Sequence, residues 1–401
     1  MFLCTDRKDR EVYHSLRISI QPNFRKVAYL THNPEHSSSM DFALERRFGR
    51  FGNDTLPFIT PAPVSTPMIT DARVLQPEFI PREIQHRDAE VNYLSSVLEP
   101  ITNGQRADPA LLHGPSGVGK TCTAQYLVEQ LRETVVDLNH QYVNCWEDHS
   151  RFKTLYRLLD GISPTVDIHR QSTPKDVLLE RLRDADNTPY VVILDEVDQL
   201  EDKSLLYDLY RIQHITMILI SNTEEELFAS LDDRLNSRLT NCTRIHFRSY
   251  HENELIAILQ DRVRWGLSDD MIDASHLELI AANATGDARV AIGILRQAAR
   301  TVQNESVDRI TADVIRKVTP EAKSEIKQKT VDRLTPHQEI LYEIIADTSE
   351  IKPRALYEAY CDRAPKPKTK RMVRNYLSKL EHYNLIVAEG NTKARRYHAI
   401  G

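Results

Sequence analysis

The stretch Gly114-Pro115-Ser116-Gly117-Val118-Gly119-Lys120-Thr121 constrains this chain more than any other. It fits GxxxxGK[ST], follows the apolar run Ala110-Leu111-Leu112 and leads into helix-forming residues from Cys122 to Leu131. Glycines let the backbone curl until its N–H groups converge on phosphate oxygens, and the helix that follows adds its positive end. Lys120 would then neutralise the β- and γ-phosphates, and the Thr121 hydroxyl would hold Mg²⁺. The bland alternative is a Gly-rich turn with an incidental lysine. Three of only twelve glycines fall in this loop, which favours a nucleotide site.

A second signal lies downstream. Tyr190-Val191-Val192-Ile193-Leu194 reads as a buried parallel strand delivering Asp195-Glu196 to its C-terminal edge, where ligands of open α/β sheets bind. One carboxylate would serve the Mg²⁺ shell and the next would polarise a water. A third buried run, Ile215 to Ile220, ends in Ser221-Asn222, either a γ-phosphate contact or a simple turn. Arg234 and Arg238 then stand four apart on one helix face. They read either as a surface ion-pair face or as an arginine reaching a neighbouring subunit's nucleotide.

The 401 residues allow two to four domains, and no apolar run is long enough to span a bilayer. Five scattered cysteines without a CxxC pair argue for a reduced cytosolic setting and against structural zinc. The net charge of −6 means that any nucleic-acid binding must come from local charge. Residues 1–67 lack a sustained period and read as a flexible extension, with Met40 and Met68 as alternative starts, and Arg46 to Arg50 within it read either as a solvated basic tail or as a DNA contact. From Val74 to Glu90 an extended lead-in enters an amphipathic helix, its apolar groups suited to flank an adenine ring. Beyond residue 250, Ser249 to Glu252 has capping-box spacing, and helices are expected at Leu277–Ala282 and Asp287–Ala299. Arg289 in a first helical turn gains nothing from the macrodipole, and a phosphate contact would explain it.

Residues 331–401 read as three helices and a hairpin. In the third helix Met372, Val373, Tyr376, Leu377 and Leu380 form an apolar face, with Lys370, Arg371, Arg374, Asn375 and Ser378 opposite. From Arg363 to Arg396 ten Lys/Arg face two Glu, a local balance of +8 that marks a duplex-binding surface. Lys368, Lys393, Arg395 and Arg396 extend it towards the hairpin. A winged helix used only for protein contacts is the alternative.

The ordered series HGPSGVGKT, VILDEVD, LISN, DDRLNSRL and GDARVAIGILRQA resembles an AAA+ ATPase. With the lead-in FIPREIQHRDAE it looks most like the archaeal origin-recognition/cell-division-cycle initiator family, over about residues 68 to 401. The resemblance implies an α/β AAA+ P-loop core with a helical lid and a C-terminal winged-helix domain. Its implied divisions are 68–249 for the base, 250–325 for the lid and 331–401 for the winged helix. It implies nucleotide contacts from Gly114, Gly117, Val118, Gly119, Lys120, Thr121 and Cys122, with Thr121 and Asp195 at Mg²⁺. Glu196 becomes the water-orienting carboxylate, Asn222 and Arg289 the two sensors, and Ile80, Pro81, His86 and Arg87 the adenine pocket. Tyr250 and Arg262 match lid positions that contact nucleotide. Arg238 matches the finger acting in trans, with Arg234 its rival. A DNA-touching helical insertion would fall within about 146 to 173, where Arg151, Lys153, Arg157 and Arg170 are diluted by acids. The implied function is ATP-dependent replication initiation by a slow, switch-like ATPase. It binds duplex origin DNA, self-associates on it, helps recruit the replicative helicase, and is cytoplasmic, nucleoid-associated and free of membranes. The alternatives are a P-loop signalling ATPase whose winged helix acts on transcription or protein partners, and a DNA clamp that never hydrolyses.

Overall fold

The computed structural model describes residues 68–162, 165, 168–169, 173–305, 307–390 and 395–400. The readings made for residues 1–67, Arg170 and Lys393 lie outside the described residues. Residues from Ser65 onward group as one compact unit.

The base is built on β1 (Ala110–His113), β2 (Asn139–Asn144), β3 (Tyr190–Asp195), β4 (Ile215–Ser221) and β5 (Thr243–His246). Among the described residues these form one parallel sheet in the order β2-β3-β4-β1-β5. Every residue of β3 and β4 is buried, as continuous β-branched and aliphatic runs demand in a sheet covered on both faces. Each such side chain contributes about 1.5–3 kcal/mol by leaving water. The chain order brings the carboxyl ends of β1, β3 and β4 side by side, so the phosphate loop, Asp195-Glu196 and Asn222 converge on one edge.

The lid packs Glu252–Gly266, Ala274–Ala284, Ala288–Glu305 and Ala312–Val331 around Leu255, Leu259, Ile280, Ile294 and Leu295. Its first helix is capped two residues later than the sequence spacing suggested. His251 is the N-cap, and its N–H donates to the Glu254 carboxylate at 2.8 Å. The start of the lead-in, grouped with the base on sequence grounds, lies on the lid: Leu75 belongs to the lid core and Ile69 bridges to Leu267. Ala312–Val331 runs unbroken through Pro320 and carries the chain from lid to C-terminal domain.

That domain comprises helices Pro336–Ala346, Pro353–Arg363 and Lys370–His382 and the antiparallel hairpin β6 (Ile386–Glu389) and β7 (Arg396–Ala399), a winged helix. Two threonines start its first and third helices. Thr335 forms a capping box with Gln338, and the Thr369 hydroxyl accepts from the Met372 N–H. Its core centres on Leu341, Ile345, Leu356, Tyr360, Leu380 and Leu385, and one member comes from the base: Trp146, just past β2.

Candidate nucleotide site

The phosphate loop adopts the backbone that its glycines allow. Gly117 has φ +75°, and a Cβ there would lie 1.9 Å from Asp287 Oδ1 at the lid's edge. Gly119, at φ +92°, starts the helix Lys120–Thr134, and its Cβ would lie 2.7 Å from the Tyr250 hydroxyl. The Ala288 N–H donates to the Gly117 carbonyl at 3.1 Å, so loop and lid touch directly. Between them opens a cleft of about 450 Å³, a size suited to a nucleotide.

Lys120 is almost wholly buried at the cleft floor. Its Nζ donates to the carbonyls of Gly114 (2.6 Å) and Pro115 (2.7 Å) and to Asn222 Oδ1 (3.1 Å). Burial lowers its pKa to about 8 despite the attraction of Asp195, so an arriving phosphate would supply the charge partner it lacks. The Gly114 N–H meets the Asn222 carbonyl at 3.1 Å, tying the loop to the end of β4.

Asp195 is buried and accepts from the Thr121 hydroxyl at 2.7 Å and the Tyr142 hydroxyl at 3.0 Å. Desolvation raises its pKa despite both bonds. Glu196 follows in the left-handed region, at φ 52°, costly for a residue with a side chain. Its Oε2 is buried with no hydrogen-bond partner. Burial, reinforced by Asp195 and Asp198, pushes its pKa up to about 8. Strain, an orphaned acceptor and crowded carboxylates together mark a site completed by a ligand. The donors, a hydroxyl and carboxylates, are hard oxygens suited to Mg²⁺, which takes one or two protein ligands and draws the rest from phosphates and water.

Other expected residues fall in three places. Ile80, Pro81, Val118, Cys122, Tyr250, Arg262 and Arg289 line the cleft, and burial pushes the Cys122 thiol up to about 11. Arg289 reaches across from the lid to Ser116 Oγ at 2.7 Å and pairs with Asp287 at 3.1 Å. Arg262 donates to the carbonyls of Val74 (2.8 Å) and Phe79 (3.0 Å), pinning the lead-in to the lid. His86 and Arg87 do not line the cleft. Arg87 is fully buried behind the loop, donates to the Val118 and Arg248 carbonyls, pairs with Glu90 and stacks on the Tyr250 ring. It is a clamp that shapes the loop from behind, because a guanidinium with five donors can satisfy several carbonyls at once. Arg234 and Arg238 are exposed on the helix Asp233–Leu239 and face no part of this chain's own cleft.

In the winged helix Lys368, Lys370, Arg371, Arg374 and Asn375 are exposed. Arg395 and Arg396 instead pair with Glu381 (2.9 Å) and Glu350 (2.6 Å). In the expected insertion, Arg151 binds Asp202 and Asp208 and Arg157 binds Asp148. Tyr142 was missed, and Phe79 and Ser116, though within the lead-in and the loop, were not singled out. Register would have helped with the first, since Tyr142 lies opposite Ile193, two residues before Asp195.

The fold and cleft define a P-loop protein of the AAA class with a lid of its own kind. Residues 103–229 match the AAA domain and residues 256–319 match the Cdc6 AAA+ ATPase-type lid domain. The chain is 77% identical over 308 residues to ORC1-type DNA replication protein 1 of Halobacterium salinarum, covering 77% of this chain and all of that relative. It is 50% identical over 330 residues to ORC1-type DNA replication protein 9 of the same organism, covering 82% of this chain and 93% of that one. Among solved structures, the Aeropyrum pernix ORC1 protein in complex with DNA shares the fold, with TM-score 0.67 and 22% identity over 84% of this chain and 94% of that one. The chain belongs to the ORC1-type DNA replication protein family. That places it among AAA+ ATP-binding proteins of DNA replication and origin recognition.

Proposed function

We propose that this protein is an ATP-dependent replication initiator that binds duplex origin DNA, self-associates there and helps recruit the replicative helicase. The observation that carries this reading is a direct contact between its two active parts. The helix Lys370–His382, whose outer face is basic, bonds the turn that follows Glu196. Lys379 Nζ donates to Gln199 Oε1 at 2.7 Å, and Gln199 Nε2 donates to the Tyr383 hydroxyl at 2.9 Å. A change at Glu196 therefore has a short route to the DNA-reading helix.

In this reading Lys120, the loop N–H groups and the lid's Arg289 hold the phosphates, and Asn222 fixes the Lys120 ammonium. Ile80, Pro81 and Phe79 flank the base. Thr121 and Asp195 hold Mg²⁺, which would neutralise phosphate charge. In its ionised form Glu196 receives the proton of the attacking water on its orphaned oxygen. Arg238, or Arg234, completes the site of a neighbouring subunit. Their exposure away from this chain's own cleft supports hydrolysis that stays slow until subunits meet on DNA. Lys368, Lys370, Arg371, Arg374 and Asn375 face the duplex, with the third helix in the major groove. Arg395 and Arg396 join them by exchanging Glu381 and Glu350 for phosphates. The protein acts in the cytoplasm, on the nucleoid.

The test is equilibrium binding to origin and scrambled duplexes, each with and without ATP. Preference for origin DNA that depends on ATP is the expected result. Equal affinity under all four conditions would overturn the reading.

A further inference from the structure

Arg333 stands at the junction between the helix Ala312–Val331 and the winged helix, outside every motif that defines the nucleotide site. Its side chain nevertheless lines the same cleft as Lys120, Glu196 and Arg289. Its backbone is held firmly: the Trp146 indole N–H donates to its carbonyl, and the next residue, Leu334, is buried in the winged-helix core. Its guanidinium is held loosely. The side chain keeps 47% of its exposure, and its nearest carboxylate, Glu147 Oε1, lies 4.0 Å from Nε. An ion pair that long and exposed contributes little, so the group is free to exchange partners. One helical turn earlier, Lys329 lines the cleft as well but is shared between two carboxylates, Glu78 and Glu325.

The position along the cleft also matters. The anchor of Arg333, Trp146, lies two residues past Asn144, the end of β2 that pairs with Asp195. Arg333 therefore stands near the Asp195-Glu196 end of the cleft that it lines. Arg289 approaches that end from the lid and Arg333 from the domain junction. A triphosphate places its extra negative charge there, and an arginine fork suits phosphate oxygens.

We propose that Arg333 is a phosphate ligand selective for the triphosphate state, supplied to the nucleotide site by the first residues of the winged-helix domain. The inference rests on the reading of the cleft as an ATP site. When the terminal phosphate is present the guanidinium leaves Glu147 for it, and the anchored carbonyl passes the pull to Trp146 and Leu334. When it is absent the guanidinium returns to Glu147. The winged helix would then sense the nucleotide at first hand as well as through Gln199.

Calorimetric titration of the full chain with ATP and with ADP, Mg²⁺ present, tests this. Arg333→Ala is expected to weaken ATP about tenfold, the scale of one charge-assisted hydrogen bond, and to leave ADP within about twofold. Arg333→Lys should recover part of the loss. Glu147→Gln frees the guanidinium and should tighten ATP by about threefold, the upper scale of an exposed pair. Equal losses for both nucleotides, or no loss in Arg333→Ala, would overturn the proposal. So would weaker ATP binding by Glu147→Gln. Lys120→Ala serves as the separate control. If it binds ATP as tightly as the unaltered protein, the reading of the cleft itself fails, whatever Arg333 does.

Discussion

The nucleotide cleft and the basic face of the winged helix present their charged groups in opposite ways. In the cleft the key groups are buried, strained and incompletely partnered: Lys120 bonded only to neutral oxygens, Glu196 left-handed with an orphaned oxygen, Asp195 desolvated. On the helix Lys370–His382 the cations that face outward are exposed. Where groups are buried, each has one geometry and its removal leaves a neighbour unsatisfied. Where they are exposed, each adds a modest, salt-screened increment and a neighbour can compensate. Specificity for one ligand belongs to the first arrangement, and tolerant attachment to a long polyanion to the second.

Substitutions can break this contrast, and the largest effect is expected at the cleft floor. Lys120→Ala should lower nucleotide affinity by about 100-fold or more, since charge-assisted bonds contribute about 1.5–3 kcal/mol each and this ammonium serves several phosphate oxygens. Calorimetry gives the value directly, and a loss below tenfold would mean that the site is not over-determined. Next comes Glu196→Gln. It should slow phosphate release by about 100-fold, the scale of losing a positioned base, while protein isolated with nucleotide carries more ATP and less ADP. Unchanged bound nucleotide would favour a clamp that never hydrolyses.

The exposed face should give smaller and graded effects. Arg374→Ala should weaken duplex binding by about three- to tenfold across sequences if it contacts phosphate, and reduce the slope of log affinity against log salt by about 1. A loss as large as that at Lys120 would erase the distinction between the two surfaces. The smallest effect concerns the hinge between base and lid. Arg248 grips the Glu254 carboxylate and holds its pKa down to about 2, with the His251 N–H adding to it. A depressed carboxylate contributes stability above its unfolded pKa near 4.5, and that contribution is lost as pH falls towards 2. Glu254→Gln should therefore lower the melting temperature by about 2 °C at pH 7, with the difference fading below pH 4.5. A difference that persists at pH 2 would assign the effect to packing.

What the sequence revealed follows from how locally each feature is encoded. The phosphate loop, β3 and β4 are contiguous runs whose composition leaves few options, and the amphipathic third helix of the winged domain is set by one period. Long-range partners left no such trace. Arg87 was expected at the nucleotide because it follows the lead-in, yet it folds behind the loop to reach the Val118 and Arg248 carbonyls, 31 and 161 residues away. Trp146 was read only as part of a modestly basic insertion, although it completes the core of a domain that begins nearly two hundred positions later. Pro320 argues locally against a helix interior, so nothing in the pattern required the unbroken helix Ala312–Val331. Arg395 and Arg396 looked free because the carboxylates that bind them, Glu381 and Glu350, are brought close by the hairpin and not by sequence.

The central claim is that cleft and winged helix form one unit, joined where Gln199, Lys379, Tyr383 and Trp146 meet. Trp146 reports on that joint, its ring centroid 4.4 Å from that of Tyr383. Only one other tryptophan, Trp265, occurs in the chain. In a Trp265→Phe protein, emission from Trp146 is followed while ATP and then ADP are added to saturation. A change in intensity or wavelength with ATP, smaller with ADP, is the predicted result. Emission indifferent to ATP, in protein that calorimetry shows to be saturated, would contradict it.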